Sequence, residues 1–200
     1  RNNQSVGTLY CNVGLCHNVM GDNEKALHYY HLGIKELRKV GDRNREALFL
    51  GNMANIYTIQ KRYSEAAALY EDVVAIAVET GVQANECIIR GNYGSLLVDM
   101  NNWDRAAEEL TKSVELGREI YPIAANVFQG VLANLRSLEG KNELALSLLS
   151  DINHALVQTD VEEYTKLLCI EATIHHRAMN TDRAVELFIE ASTLIEKHHF

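Results

Sequence analysis

The sequence contains very little proline, an excess of acidic over basic residues and no long apolar run. One proline stands against twelve glycines in 200 residues, which disfavours collagen-like, proline-rich and short-stranded β folds and favours long helices. The net charge of −8 repels nucleic-acid phosphates and anionic lipids. No apolar run reaches the roughly eighteen residues of a membrane span, and we find no signal peptide. We therefore expect neither nucleic acid nor membrane as a partner.

The four cysteines are scattered along the chain. Cys11, Cys16, Cys87 and Cys169 form no Cys-x-x-Cys pair and match no zinc-ligand spacing. Such usage is typical of unreactive thiols in a reducing compartment, so we expect a cytoplasmic protein. Because the chain begins at Arg1, we also expect it to be part of a longer protein.

The sequence also lacks the motifs of common enzymes. No glycine-rich phosphate loop follows a strand, and no Gly-x-Ser-x-Gly elbow occurs. The eight histidines, among them His28 and His31, lack carboxylates at metal-ligand spacing. We expect no catalytic residue, no metal and no cofactor, so the protein is not predicted to be an enzyme.

What the sequence does contain is an internal repeat of about 40 residues. Five alanines recur at spacings of 40, 40, 39 and 39: Ala26, Ala66, Ala106, Ala145 and Ala184. Twelve residues before each stands another small residue: Gly14, Ala54, Gly94, Ala133 and Ala172. Four residues after each alanine stands a bulky one: Tyr30, Tyr70, Leu110, Leu149 and Phe188. A period in this range indicates an array of repeated structural units.

Each repeat is predicted to be two helices joined by a tight turn. Turn-like segments such as Gly21-Asp22-Asn23 separate the two small residues, since Gly and Asn end helices and Asp caps the next one. The small residues would then face each other where the helices cross. The pattern predicts an all-α chain with helices near 4–20, 23–40, 43–60, 63–80, 83–100, 103–120, 123–139, 142–158, 161–178 and 181–198.

These columns resemble the tetratricopeptide repeat family. The resemblance is carried by Val13-Gly14, Ala26, Tyr30 and Gly33 in the first repeat, by Met53-Ala54, Tyr57, Tyr63, Ala66 and Tyr70 in the second, and by Gly94, Trp103 and Ala106 in the third. The longer period is similar to that of kinesin light chains and bacterial regulatory arrays. HEAT and armadillo repeats have a compatible period but different small-residue columns.

The resemblance implies one array over residues 1–200, with repeats near 4–40, 43–80, 83–120, 123–158 and 161–198. It implies a right-handed α-solenoid of about ten antiparallel helices, in which the first helix of each repeat lines a concave groove. It further implies a scaffold that binds a peptide or helix of a partner protein in that groove.

A stripe on each first helix supplies the candidate groove residues. At i, i+4, i+7 and i+11 they include Asn12, Leu15, Leu48, Asn52, Asn55, Ile59, Ile88, Asn92, Ser95, Val131 and Asn134. The asparagines 12, 52 and 92 recur at the 40-residue period although Asn is a poor helix former. Their amides could hold a bound peptide backbone or bridge neighbouring helices. A column of glycines at 51, 91 and 130 similarly indicates a close approach, by a ligand or by the next helix.

The character of the partner follows from the scarcity of basic stripe residues. Only Lys166 and Arg177, both in the fifth repeat, are basic, which disfavours the clamp for two carboxylates known in this family. We expect apolar anchors and modest charge, with Arg45, Lys61 and Arg90 at the edges able to take one acidic group. Two alternatives stay open. The chain could be the sensor region of a larger signalling protein, or it could self-associate through an uncovered stripe of the last helix at Leu187, Ala191, Leu194 and Ile195.

Overall fold

The computed structural model describes residues 2–198, with side chains from residue 6 onwards. Within that range every regular element is an α-helix, and no strand is present. The eleven helices are α1 (Asn2–Val19), α2 (Asn23–Val40), α3 (Arg43–Ile59), α4 (Tyr63–Thr80), α5 (Gln83–Asp99), α6 (Trp103–Ile120), α7 (Pro122–Leu138), α8 (Asn142–Ser150), α9 (His154–Val157), α10 (Val161–Arg177) and α11 (Thr181–His198). The predicted all-α class is confirmed, and nine predicted helices agree with the structure to within two residues.

The turn inside each repeat has the same backbone conformation in all five copies. The first helix ends at a left-handed residue, which is Gly21, Lys61, Asn101, Gly140 or Met179 in successive repeats. The N–H of each repeat alanine then donates to the carbonyl four residues earlier at 3.0 Å. Gly and Asn were expected in the left-handed place, but Lys61 and Met179 occupy it in two repeats. The shared packing of the helix pair imposes the turn there against local preference.

The small residues bring the two helices of a repeat close together. All five repeat alanines are buried. A Cβ atom added to Gly14 would lie 2.8 Å from Cδ1 of Tyr30 and 3.1 Å from the carbonyl oxygen of Ala26. The backbones therefore cross at this point with the bulky Tyr30 ring beside them, as the columns predicted.

The predicted helix over 142–158 is wrong, because the chain breaks into α8 and α9. The backbone N–H of Asn153 donates to Oδ1 of Asn126 on α7 at 2.7 Å, and Oδ1 of Asn153 accepts from the N–H of Leu156. A side chain that caps a new helix competes with continuation of the old one. The break lets both Ile152 and Val157 enter the core.

The chain divides into two compact units, Arg1–Leu96 and Leu97–Phe200. In the first unit, rings stack between successive repeats, Tyr30 on Phe49 and Tyr70 on Tyr93, with centroids 5.8 and 5.6 Å apart. In the second unit, apolar side chains of α7, α8, α10 and α11 form one core cluster that includes Leu167. None of the helices in the described part of the chain is both long and apolar enough to cross a membrane.

Candidate partner-binding face

The clearest candidate surface in the first unit is a stripe on α3. We call Leu48, Asn52, Asn55 and Ile59 the α3 stripe. Its two apolar ends are open to solvent, with Leu48 exposed by 50% and Ile59 by 71%, whereas the two asparagines between them are half-buried. Exposed apolar side chains that flank amides offer both burial and hydrogen bonding to a partner.

Two buried tyrosines form the floor beneath this stripe. The hydroxyl of Tyr70 on α4 donates to Oδ1 of Asn55. The hydroxyl of Tyr30 on α2 lies beside the side chains of Asn18 and Asn52, without a complete hydrogen bond to any described residue. Burial raises the pKa of Tyr30, an effect that the two asparagines partly oppose, so the hydroxyl stays protonated at neutral pH. Half of the amide pair is thus committed to the fold, and half faces an unsatisfied hydroxyl.

The flanking first helices carry the other predicted residues of this unit. Asn12 and Leu15 on α1 are exposed, and Ile88, Asn92 and Ser95 on α5 are half-buried. The Ser95 hydroxyl donates to the carbonyl of Gly91 at 2.9 Å, so it is used within its own helix.

In the second unit, one predicted residue is engaged by a neighbouring helix. Oδ1 of Asn134 on α7 accepts from Nη1 of Arg177 on α10 at 2.7 Å. Both belong to the stripe pattern, so the stripes of α7 and α10 face the same side of this unit. Val131 is half-buried one turn earlier on α7. Asn134 therefore bridges helices, which is the second of the two roles considered for the amides.

The three asparagines of the 40-residue period lie differently from Asn134. None of Asn12, Asn52 and Asn92 is buried between helices. Asn12 and Asn92 form no side-chain hydrogen bond with another described residue. Their hydrogen-bonding groups therefore remain able to meet a ligand or water.

The glycine column has two different explanations. A Cβ on Gly51 of α3 would meet nothing within 4 Å, so its surroundings are open. A Cβ on Gly130 of α7 would lie 2.6 Å from Cδ1 of Leu167 on α10. Gly130 therefore serves helix packing, while Gly51 leaves open space next to the α3 stripe.

An open cavity of about 770 Å³ borders the stripe at Leu48. Its lining includes Asp42, Asn44, Arg45 and Asn85. The charges here are already paired, because Nη1 of Arg45 bonds Oδ2 of Asp42 at 2.5 Å. The cavity is therefore polar and has little net charge.

Of the three basic residues expected at the edges, Arg90 is not available to an acidic ligand group. It is buried, and its Nε bonds Oε1 of Glu86 at 2.7 Å. Lys61 is exposed in the turn before α4. These positions favour a partner with little negative charge.

Sequence reasoning missed the tyrosine floor. Tyr30 and Tyr70 were recognised as bulky core residues, but the contacts of their hydroxyls with Asn18, Asn52 and Asn55 were not. Only the recurrence of Tyr rather than Leu in this column, in the first two repeats, could have signalled a polar role.

Ionisable clusters outside this face do not form a metal centre. In the part of the chain that the structure describes, no group of three or more His, Cys, Asp or Glu side chains is arranged to hold a metal ion. The closest pair, His154 Nε2 and Glu171 Oε1 at 2.5 Å, joins α9 to α10. Glu171 is buried, so this pair is part of the packing of the second unit.

Solved structures with the same fold come from several organisms. BtubC (BKLC) of P. vanneervenii matches 98% of this chain and 82% of its own, with a TM-score of 0.77 and 14% identity. A putative kinesin light chain with nearly identical TPR-like repeats from Podosopora anserina matches 98% and 97%, with a TM-score of 0.71 and 16% identity. Aspartyl phosphate phosphatase F of Bacillus subtilis matches 96% of this chain but 49% of its own, with a TM-score of 0.71 and 13% identity.

Sequence comparison identifies the family on its own. No curated protein sequence matches this chain. The family model described as tetratricopeptide repeat matches residues 5–79 and 45–119, which are the first three repeats, where the columns are strongest. This family and fold are generally non-catalytic. The chain belongs to the tetratricopeptide repeat family.

Proposed function

We propose that the chain is a non-catalytic scaffold that binds a peptide or helix of a partner protein against the α3 stripe. The observation that carries this proposal is the pair of exposed apolar side chains, Leu48 and Ile59, on either side of half-buried Asn52. Apolar groups left in water on an ordered helix face commonly mark a partner site.

The local chemistry supports a bound backbone rather than a charged side chain. Asn52 can both donate and accept, and the Tyr30 hydroxyl beside it has hydrogen-bonding capacity left. The open space at Gly51 allows a main chain to approach the helix closely. We infer a partner segment with two apolar anchors, about one helix length apart, and little charge.

Leu48→Asp tests this proposal with a library of random peptides displayed on phage and selected on the wild-type chain. A charge at the stripe would stay desolvated under the ligand, so we expect a loss of about tenfold or more in affinity for the selected peptides. Asn52→Ala should weaken the same peptides by removing the backbone contact. Titration by fluorescence anisotropy measures both effects.

The matched control is Val78→Asp. Val78 is also about half exposed, at 53%, but it lies on α4 outside the stripe. It should bind the selected peptides like the wild-type chain. The proposal is wrong if no peptide is selected, or if folded Leu48→Asp and Asn52→Ala bind as tightly as the control.

A regulatory region of a larger signalling protein is a second candidate. It is favoured by the match to the Bacillus subtilis phosphatase, of which this chain spans 49%. The four cysteines, all free, agree with the reducing conditions of the cytoplasm, where we place the protein. Sequencing of the complete reading frame distinguishes the candidates, since an effector domain beside the array is required by the second alone.

A further inference from the structure

The first helix of the array exposes a face that is buried in every later repeat. This face, which we call the α1 face, consists of Leu9, Tyr10, Val13 and Cys16. Leu9 is exposed by 63%, whereas its equivalents, five residues before the repeat's small residue, are all buried: Phe49, Ile89, Phe128 and Leu167. The equivalents of Cys16 are buried as well: Ile56, Leu96, Leu135 and Ile174. In α3, α5, α7 and α10 this face is where the second helix of the preceding repeat packs.

The last helix exposes the complementary face. The α11 face consists of Val185, Phe188, Ile189 and Ile195. Phe188 is exposed by 45%, although the equivalent residues of the other four repeats are buried: Tyr30, Tyr70, Leu110 and Leu149. A shallow cavity of about 380 Å³ lies along the α11 face.

The two faces match in register because they are the two halves of one repeated interface. Tyr30 of α2 stacks on Phe49 of α3, and these two positions correspond to Phe188 and Leu9. A second chain placed with its α1 against α11 would therefore seat Leu9 on Phe188 and continue a contact that the molecule already makes.

One position shows that the end faces fit each other better than they fit an internal repeat. Between α4 and α5 the Tyr93 hydroxyl donates to Oε1 of Glu71 at 3.0 Å. The equivalents of Glu71 in the first, third and fourth repeats are also polar: His31, Thr111 and Ser150. In α11 this position is Ile189, exposed by 62%, and the position equivalent to Tyr93 in α1 is Val13. Both members of the polar pair are thus replaced by apolar residues at opposite ends of the chain.

We propose that the α11 face of one copy binds the α1 face of a second copy, head to tail. Burial of Phe188 and Ile189 against Leu9 and Val13 drives the association. The contact is heterologous, so each copy keeps one unused face and can add a further copy. This surface is separate from the α3 stripe, and the proposal stands without the proposed peptide site.

Two end-blocked variants test the direction of the contact. Phe188→Glu places a charge on the α11 face, and Val13→Glu places one on the α1 face. Both residues are exposed, so the variants should fold. By sedimentation velocity, the wild-type chain should grow beyond a dimer as its concentration rises. Each variant alone should remain a monomer, with its association weakened about tenfold or more.

An equimolar mixture of the two variants is the decisive measurement. Phe188→Glu retains an intact α1 face and Val13→Glu retains an intact α11 face, so the mixture should form dimers and nothing larger. Val78→Glu, a matched exposed apolar position on α4, should assemble like the wild type. A wild-type chain that stays monomeric, a mixture that stays monomeric, or a Phe188→Glu variant that still dimerises alone overturns the proposal.

Cys16 supplies an independent readout on the α1 face. It is exposed, whereas Cys11 and Cys87 are buried. Alkylation of Cys16 should slow as the wild-type concentration rises, because the second copy covers it. In Phe188→Glu the rate should not depend on concentration, and a concentration-independent rate in the wild type contradicts the proposal.

Discussion

At the scale of single residues, identical amino acids have opposite roles in this chain. Gly33 on α2 lies where α1 and α2 are closest, since a Cβ there would clash with the Cys11 sulfur and lie 2.7 Å from the carbonyl oxygen of Gly7. Gly51 on α3 has open space around the same position. Gly33 is therefore required by packing, whereas Gly51 costs helix stability and returns none through contacts among the described residues.

Alanine at these two positions should have effects of opposite sign. Gly33→Ala should lower the free energy of unfolding by about 1–3 kcal/mol, because the backbones of α1 and α2 must separate. Gly51→Ala should raise it by up to about 1 kcal/mol through helix propensity alone. Urea unfolding followed by circular dichroism measures both, and a stabilised Gly33→Ala would show that the two helices are less closely packed than described.

At the scale of elements, the break between α8 and α9 creates a contact that a continuous helix would lack. His154 begins α9, and its Nε2 reaches Oε1 of Glu171 on α10. Burial raises the pKa of Glu171, and His154 and Arg183 partly oppose that rise. Glu190 of α11 adds to the rise and also accepts from the hydroxyl of Tyr164.

This arrangement predicts a pH dependence that Glu171→Gln should remove. Because the folded chain holds the Glu171 proton more tightly than the unfolded chain, the associated stability is present at low pH. It is lost as the pH rises from 4.5, the ordinary pKa, through the raised folded value. The unfolding free energy of the wild type minus that of Glu171→Gln should therefore fall over this interval in urea titrations at successive pH values. A constant difference would mean that the carboxyl is solvated.

At the scale of the whole molecule, the same repeat position differs in burial according to its place in the chain. The bulky column is buried in the first four repeats and half exposed at Phe188 in the last. Each repeat buries its bulky residue against the helix that follows, and α11 has no such helix among the described residues.

Alanine substitutions in this column should therefore have graded costs. Leu110→Ala should cost about 2–5 kcal/mol, since a fully buried side chain leaves a cavity. Phe188→Ala should cost less than about 1 kcal/mol when unfolding is measured at low micromolar concentration, where copies are separate. Equal losses at that concentration would show that the α11 face is covered within a single chain.

The sequence alone determined the helix pattern, the turn positions and the family, because all three depend on residues close together along the chain. Small and bulky columns at a 40-residue period predicted the helix pairs, and Gly21 and Asn101 marked the turns. The candidate stripe on α3 also followed from helical periodicity, which places Leu48 and Asn52 on one face.

Only the tertiary structure decided which of these side chains remain available to a partner. Asn134 is taken by Arg177 from a helix 43 residues away, while Asn52 lies beside a buried tyrosine hydroxyl. The end of α8 likewise depends on Asn126 of α7, which accepts from the Asn153 backbone. Such partners are distant in sequence, and burial and hydrogen bonding are properties of the packed chain. For that reason, periodicity could place a residue on a face but could not reveal what it contacts there.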